Sequence, residues 1–279
     1  MSGFSAEWLA LREPADQRAR NSDLLGALTR RFAGRDTLSV VDLGCGAGSN
    51  LRALAPALPR RQRWRLVDHD AALLGAARER IARWGDTWEE AGADLRASRQ
   101  GRDLTVAFQK ADLVSDLEGV LEGAPHLVTA AALFDLVSAE WIRRLAAAVA
   151  AREAVFYTVL TYNGTESWSP AHPSDAAIRA AFHAHQGGDK GFGPAAGPAA
   201  SERLAEAFLA AGYRVRSADS PWRLGLQDAE LVRELAKGTA GAVRETGQVG
   251  NDEVASWLEA RLSAAACVVG HTDLLAFPG

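Results

Sequence analysis

Apolar and polar positions along the chain switch between two periods. Short apolar runs at residues 40–43, 63–68, 104–108, 125–130 and 154–160 predict five strands. Between them, apolar residues recur every three or four positions. Leu74, Ala77, Ile81 and Trp84 form one such stripe, and Ile142, Leu145 and Val149 form another. Strand and helix patterns alternate in this way from residue 38 to about 160, which predicts a parallel sheet with helices on both faces. A helical lead precedes the alternation, with Leu24, Leu25, Leu28 and Phe32 on one face. A helix from Ser201 carries Leu204, Phe208 and Ala211, and Gly212 is placed to end it in the left-handed conformation. Residues 213–216 alternate as a sixth strand, and residues 267–269 with 274–277 read as the last. The polar segment 92–101 reads as a surface excursion. Between the last two strands, Leu231, Leu235, Val254, Trp257, Leu258 and Leu262 mark a helical insertion. That insertion is expected either to frame a substrate site as a lid or to pack on the sheet edge. The expected organisation is one domain over 1–279, with a lead at 1–36, a core at 37–220 and 266–279, and the insertion at 221–265.

Where the first strand ends, the chain reads VVDLGCGAGSN, with Asp42, Gly44, Gly46 and Gly48 spaced as D-x-G-x-G-x-G. Alternate glycines let the backbone bend tightly and approach a ligand with no side chain in the way. A helix starting at Ser49 would point its free amides into this turn. The dinucleotide fingerprint G-x-G-x-x-G fails here because its third glycine position is Ser49. A phosphate-binding P-loop fails because no lysine follows Gly48. Asp42 would repel a pyrophosphate, whereas an ammonium group would be attracted to it.

This stretch resembles the first motif of the class I (Rossmann-like) S-adenosylmethionine-dependent methyltransferase family, an acid followed by G-x-G-x-G. The resemblance covers residues 38–160 and the two final strands. It implies an α/β sandwich on a mostly parallel seven-stranded sheet, with an antiparallel last strand between the fifth and sixth. It also implies S-adenosylmethionine (SAM) as cofactor and S-adenosylhomocysteine (SAH) as product. Asp42, Gly44, Cys45, Gly46 and Gly48 would form the cofactor loop. Asp68, about 20 residues beyond the loop, stands where an acid holds ribose hydroxyls, with His69 beside it and Asp70 free to cap the next helix. Asp112 and Leu113 match the adenine site, and Thr129 and Ala130 the fourth motif, where the chain passes the sulfonium. That motif lacks N/D-P-P-Y/F, which weakens a reading as a base-amine methylase of nucleic acid. Arg12, Arg18 and Arg20 lie in the lead, and Arg20 is taken as the cation for the methionine carboxylate.

Composition narrows the partners. Net charge is -4 with a pI near 5.9, and no long Lys/Arg run appears, which argues against a nucleic-acid partner. Arg30-Arg31 and Arg60-Arg61 with Arg63 and Arg65 are local clusters only. Two cysteines, Cys45 and Cys267, form no disulfide framework and suit a reducing, cytoplasmic setting. The N-terminus has early acids and no apolar core of a signal peptide. No run approaches the ~18 apolar residues of a membrane span. The expected partner is a small-molecule substrate, with the chain acting as monomer or homodimer.

A second informative stretch, FHAHQGGDKGFG at 182–193, places four glycines within seven residues. It reads as a substrate loop beyond the fifth strand, where ligands bind in this architecture. Histidine suits general-base work near neutral pH, so His185 and then His183 are the candidate bases. Their i, i+2 spacing, with no nearby cysteine or Glu triad, does not suggest a metal. Asp189 and Lys190 in the same loop, Asp135, and Tyr162 with Asn163 at the end of the fifth strand are the candidate substrate contacts. Trp141 reads as core. The rival readings are a nicotinamide-dependent oxidoreductase with a degenerate glycine loop, and a SAM-binding accessory protein without turnover.

Overall fold

The structure, a computed structural model, describes residues 5–279; the first four residues of the lead lie outside the described residues. The lead is two helices, α1 (Ala6–Ala19) and α2 (Ser22–Phe32). Ser5 caps α1 and Asn21 caps α2 through their side-chain oxygens. The core then runs β1 (Thr37–Leu43), α3 (Ser49–Leu54), β2 (Arg61–Asp68), α4 (Ala71–Trp84), β3 (Thr87–Ala91), β4 (Asp94–Arg99) and β5 (Arg102–Lys110). It continues through α5 (Leu117–Val120), β6 (Leu127–Ala131), α6 (Ala139–Ala150), β7 (Val155–Ser169), α7 (Asp175–Gln186), α8 (Ala200–Ala210) and β8 (Tyr213–Asp219). The insertion holds β9 (Trp222–Leu224), α9 (Ala229–Thr246) and α10 (Asn251–Leu262), and β10 (Ala266–Pro278) closes the chain.

The central sheet order is β5-β2-β1-β6-β7-β10-β8. The four pairings from β5 to β7 are parallel. β10 runs antiparallel between β7 and β8. These are the seven strands and the reversed last strand that the family resemblance implies. Three more strands extend the sheet. β3 and β4 form a hairpin on the β5 edge, in place of the expected surface excursion. Its polar residues hide a short alternation, with Leu95 and Ala97 turned inward to the core cluster that holds Ile81 and Ala82 of α4. β9 pairs with the start of β10.

One core face packs α2, α3, α4, α7, α9 and α10, and the opposite face packs α5, α6 and α8. β7 runs on for 15 residues instead of stopping at Tyr162. Leu160 at φ 60° and Gly164 at φ 85° mark its irregularities, and the β10 register shifts opposite that stretch. The insertion does not stand free as a lid. α9 and α10 pack on each other, and α9 packs on α7. Trp257 and Arg261 of α10 are fully buried. Arg261 donates to Asp175 and to the Pro170 carbonyl, and the Trp257 indole donates to Asp175.

Candidate functional site

The carboxyl ends of β1, β2 and β6 meet at the glycine turn. Gly44, Gly46 and Gly48 hold φ of 60°, 51° and 75°, the left-handed region that a side chain rarely adopts. Gly48 also occupies the N-cap of α3. The Cys45 amide donates to the Val67 carbonyl at 3.0 Å, tying the turn to β2. Asp68 braces it from the other side: its Oδ2 accepts from the Gly46 amide at 2.9 Å, and its Oδ1 from the Asp70 amide at 3.0 Å. Asp70 caps α4. His69 is largely exposed, with Nδ1 3.3 Å from Asp68 Oδ1.

Behind the turn lies a buried polar cluster. Asn50 donates from Nδ2 to Asp42 Oδ1 at 2.7 Å and to Thr129 Oγ1 at 3.1 Å. Its own Oδ1 accepts from Arg20 Nη1 at 3.0 Å. Burial pushes the Asp42 carboxyl up to about 7, against the pull of Asn50 and Arg20. Asp42 Oδ2 and Arg20 Nε are both buried and meet no hydrogen-bond partner among the described residues. Leaving such groups unpaired costs ~1–3 kcal/mol each.

A cavity of about 70 Å³ opens onto this cluster, lined by Leu9, Arg12, Asp16, Asp42, Gly44 and Asn50 among others. α1 roofs it. A Cβ on Gly46 would stand 2.9 Å from Leu9 Cδ1. Around that contact the roof is held by polar groups. Arg52 donates twice to Glu13, at 3.0 and 2.6 Å. Asp16 pairs with Arg12 and accepts from the Trp222 indole at 3.0 Å, while the Arg12 guanidinium lies 4.9 Å from a Trp222 ring centre. Arg18 reaches Asp228 just before α9. The insertion therefore catches the roof with Trp222 and Asp228 rather than covering the site itself.

The remaining predicted residues separate into near and far. Asp112 is exposed in the turn before α5, where its Oδ1 accepts from the Val114 amide at 2.9 Å. Leu113 is buried, and its carbonyl accepts from the Trp141 indole at 2.9 Å, so Trp141 is core. Ala130 is buried at the end of β6. Asp135 lies in the short turn that follows β6, bound by Gln186 Nε2 at 2.9 Å, and burial pushes its carboxyl up to about 6. The Tyr162 hydroxyl and His183 Nε2 are 2.9 Å apart.

His183 and His185 do not lie in a loop. Both belong to the last turn of α7 and diverge there. His185 turns to Glu245 on α9, 3.0 Å away, on the outer side of the helix pair. Asn163 is turned on its own chain: its Oδ1 accepts from the Thr165 amide and hydroxyl, an Asx turn within β7. Asp189 binds the Gly191 and Gly193 amides, folding the glycine segment, Lys190 included, onto itself. Phe192 of that segment packs edge-on against Trp141 of α6, with ring centres 5.3 Å apart.

No protein-family model matches the chain. No curated protein matches it in sequence. Solved structures match it in fold. A cyclopropane-fatty-acyl-phospholipid synthase-like protein from Lactobacillus casei superposes with a TM-score of 0.54 at 17% identity, over 97% of this chain and 94% of that one. The cyclopropane synthase MmaA2 from Mycobacterium tuberculosis gives 0.52 at 11% identity, over 98% and 94%. The YcgJ protein from Bacillus subtilis gives 0.51 at 13% identity, over 92% and 99%. The fold is that of the class I SAM-dependent methyltransferases.

Within this methyltransferase fold, sequence reasoning overlooked several groups at the site. Asn50 is adjacent to the glycine motif in sequence, so its position was a usable signal. Gln186, one residue past His185, was not separable from its polar neighbours. Asp16 and Trp222 meet across a separation of 206 residues, which no local pattern marks.

Proposed function

We propose that the protein is a SAM-dependent methyltransferase acting on a small-molecule acceptor. The observation that carries this reading is the pair of unpartnered charged atoms behind the glycine turn. Asp42 Oδ2 is an acceptor suited to an ammonium, and Arg20 Nε is a donor suited to a carboxylate. Both residues hydrogen-bond the same Asn50, so the two charges are presented together. An amino-acid group carries that same pair of charges, and the methionyl end of SAM supplies one. A nicotinamide dinucleotide would bring a pyrophosphate toward Asp42 instead.

In this reading Gly44, Cys45, Gly46 and Gly48 bring backbone close to the cofactor. Asp68 and His69 take the ribose, and Asp112 with Leu113 borders the adenine. Thr129 and Ala130 line the passage toward the acceptor. When bound, SAM supplies a methyl group activated on a sulfonium. The protein's part is to align the acceptor with that group and keep water out, which α1 does by roofing the cavity. Where the acceptor must lose a proton, Tyr162 and His183 are the residues to take it. Burial, then the Arg179 charge, lowers the His183 pKa, so at neutral pH its imidazole is uncharged. The Tyr162 phenol, 2.9 Å from Nε2, connects it to the interior. His185, held by Glu245, has no part in this scheme.

Calorimetry with SAH, SAM and NAD tests the assignment. SAH and SAM are expected to bind, and Arg20→Ala to weaken them by about tenfold or more, a charged hydrogen bond being worth ~1.5–3 kcal/mol. Binding of NAD in their place would end the proposal. Radiolabelled methyl transfer to a metabolite panel then identifies the acceptor.

A further inference from the structure

Beyond the cofactor turn lies a second buried polar group, at the start of the path an acceptor would take. Ala131 and Ala132 line the cavity, and Asp135 follows them in the chain. Gln186, at the end of α7, is 6% exposed. It donates from Nε2 to Asp135 Oδ2 at 2.9 Å. This fixes the amide, because the reverse orientation would set Oε1 against a carboxylate. Gln186 Oε1 then faces away from Asp135, is buried, and meets no donor among the described residues. Opposite it, Gly197 is at φ 52°, and even a Cβ there would remain 3.8 Å from that oxygen.

Two acceptor functions therefore stand side by side, one of them a carboxylate. The Tyr162 backbone lies close enough to Asp135 to favour its ionised form, and the ring of the same residue stands in an aromatic cluster. It meets Phe182, His183 and His271 edge-on, at ring-centre distances of 6.3, 5.8 and 6.4 Å. We propose that Asp135 and Gln186 are the recognition end of the acceptor site, and that they take a primary amine carried on an aromatic or apolar body.

The assignment rests on the methyltransferase reading for its location; the ligand chemistry comes from the side chains. An alcohol offers one hydrogen to two acceptors, and a carboxylate offers none and repels Asp135. An ammonium offers three hydrogens and a compensating charge. Burial raises the Asp135 carboxyl only to about 6, so it remains ionised at neutral pH, and a bound cation would hold it so. The aromatic edges around Tyr162 give the body of the ligand an apolar wall.

The experiment titrates the SAH-saturated protein with benzylamine, benzyl alcohol and benzoate, which share one ring and differ in head group. Benzylamine is expected to bind at least about tenfold more tightly than the other two. Asp135→Asn and Gln186→Leu are each expected to erase most of that preference while SAH affinity stays within about twofold. Asp135→Asn keeps the shape of the side chain, so it stands as the test should Gln186→Leu fold poorly. Equal affinity for the three compounds, preference for benzoate, or no binding of any overturns the proposal. The opening SAH titration reads the cofactor assignment by itself. If SAH does not bind, the same three compounds are compared on the protein alone and decide the acceptor proposal separately.

Discussion

In the proposed cofactor site, Asp42 is the residue whose chemistry is tested most directly. Its carboxyl is held up to about 7 by burial, and only the ionised form pairs with an ammonium. SAH affinity should therefore fall as pH drops below about 7, approaching tenfold per unit. Binding at about pH 6.5 should also release protons, seen by calorimetry in two buffers of unlike ionisation enthalpy. Asp42→Asn should bind weakly at every pH and show neither effect; a pH-independent wild type would show that Asp42 does not face the ammonium. Gly46 permits a second, sharper comparison, because Gly92 serves as its control. Both are at positive φ, 51° and 68°, but a Cβ at Gly46 meets Leu9 whereas one at Gly92 meets nothing within 4 Å. Alanine should cost each about 1 kcal/mol of stability through backbone strain. Only Gly46→Ala should also lose SAH affinity, by about tenfold or more. Equal losses at the two sites would remove Gly46 from the cofactor cradle.

Helix α1 is the element on which access depends. The cavity beneath it is only about 70 Å³, far less than a nucleoside-sized ligand fills. Of its residues only Ala15 and Asp16 are buried, whereas α2 buries Leu24, Leu28 and Phe32. The two helices meet at Asn21, whose amide donates to buried Asp273 at 2.9 Å. Asp273 also accepts from the Leu160 amide and the Ser220 hydroxyl. That anchor holds the joint, whereas α1 itself is held by the partly buried Trp8, Leu11 and Ala19 beside Ala15 and by its polar contacts. Amide exchange in α1 should thus be faster than in α2 and slow when SAH binds. Trp222→Phe keeps the ring but deletes the indole donor to Asp16. It should speed both α1 exchange and SAH association; exchange in α1 as slow as in α2 before SAH is added would mean the roof does not open. This contact also marks where sequence reading stops. The strands of the parallel core and the glycine turn were legible because apolar runs end abruptly in glycine. The β3–β4 hairpin was not, since TWEEA and DLRASR offer only Leu95 and Ala97 to the core. Asn163-Gly164 has local turn chemistry, and β7 absorbs it as a bulge because pairing with β10 resumes on both sides of it. For α7, the glycines at 187–193 drew the histidines into a predicted loop, although Ile178 and Ala181 already face the core seven and four residues before His185. Asp42 and Asp68 were found because strand ends are visible, but Asp16, Trp222 and Gln186 act through tertiary contacts alone.

At the scale of the whole molecule, the buried acids and histidines set opposing slopes in stability against pH. Burial, then the Arg12 charge, lowers His271 to about 3, so the native imidazole stays neutral while the unfolded one ionises near 6.5. Its contribution to stability is complete above about pH 6.5 and shrinks as pH falls toward 3. Asp42 has the opposite sign. Its native carboxyl keeps a proton up to about 7, whereas the unfolded one releases it near 4. Its contribution is therefore complete below about pH 4 and is lost as pH rises through 7. Asp135, raised to about 6, acts in the same direction as Asp42. Between about pH 4.5 and 6 the two acids together outweigh His271, so these three groups should make the wild-type curve fall as pH rises. Each substitution should tilt it predictably. Relative to wild type, Asp42→Asn should gain stability as pH rises from about 4.5 to 7, and His271→Phe should gain as pH falls over the same interval. Urea denaturation of the three proteins at several pH values in that window reads these differences directly. Parallel curves for wild type and both variants would show that neither group changes its protonation on folding.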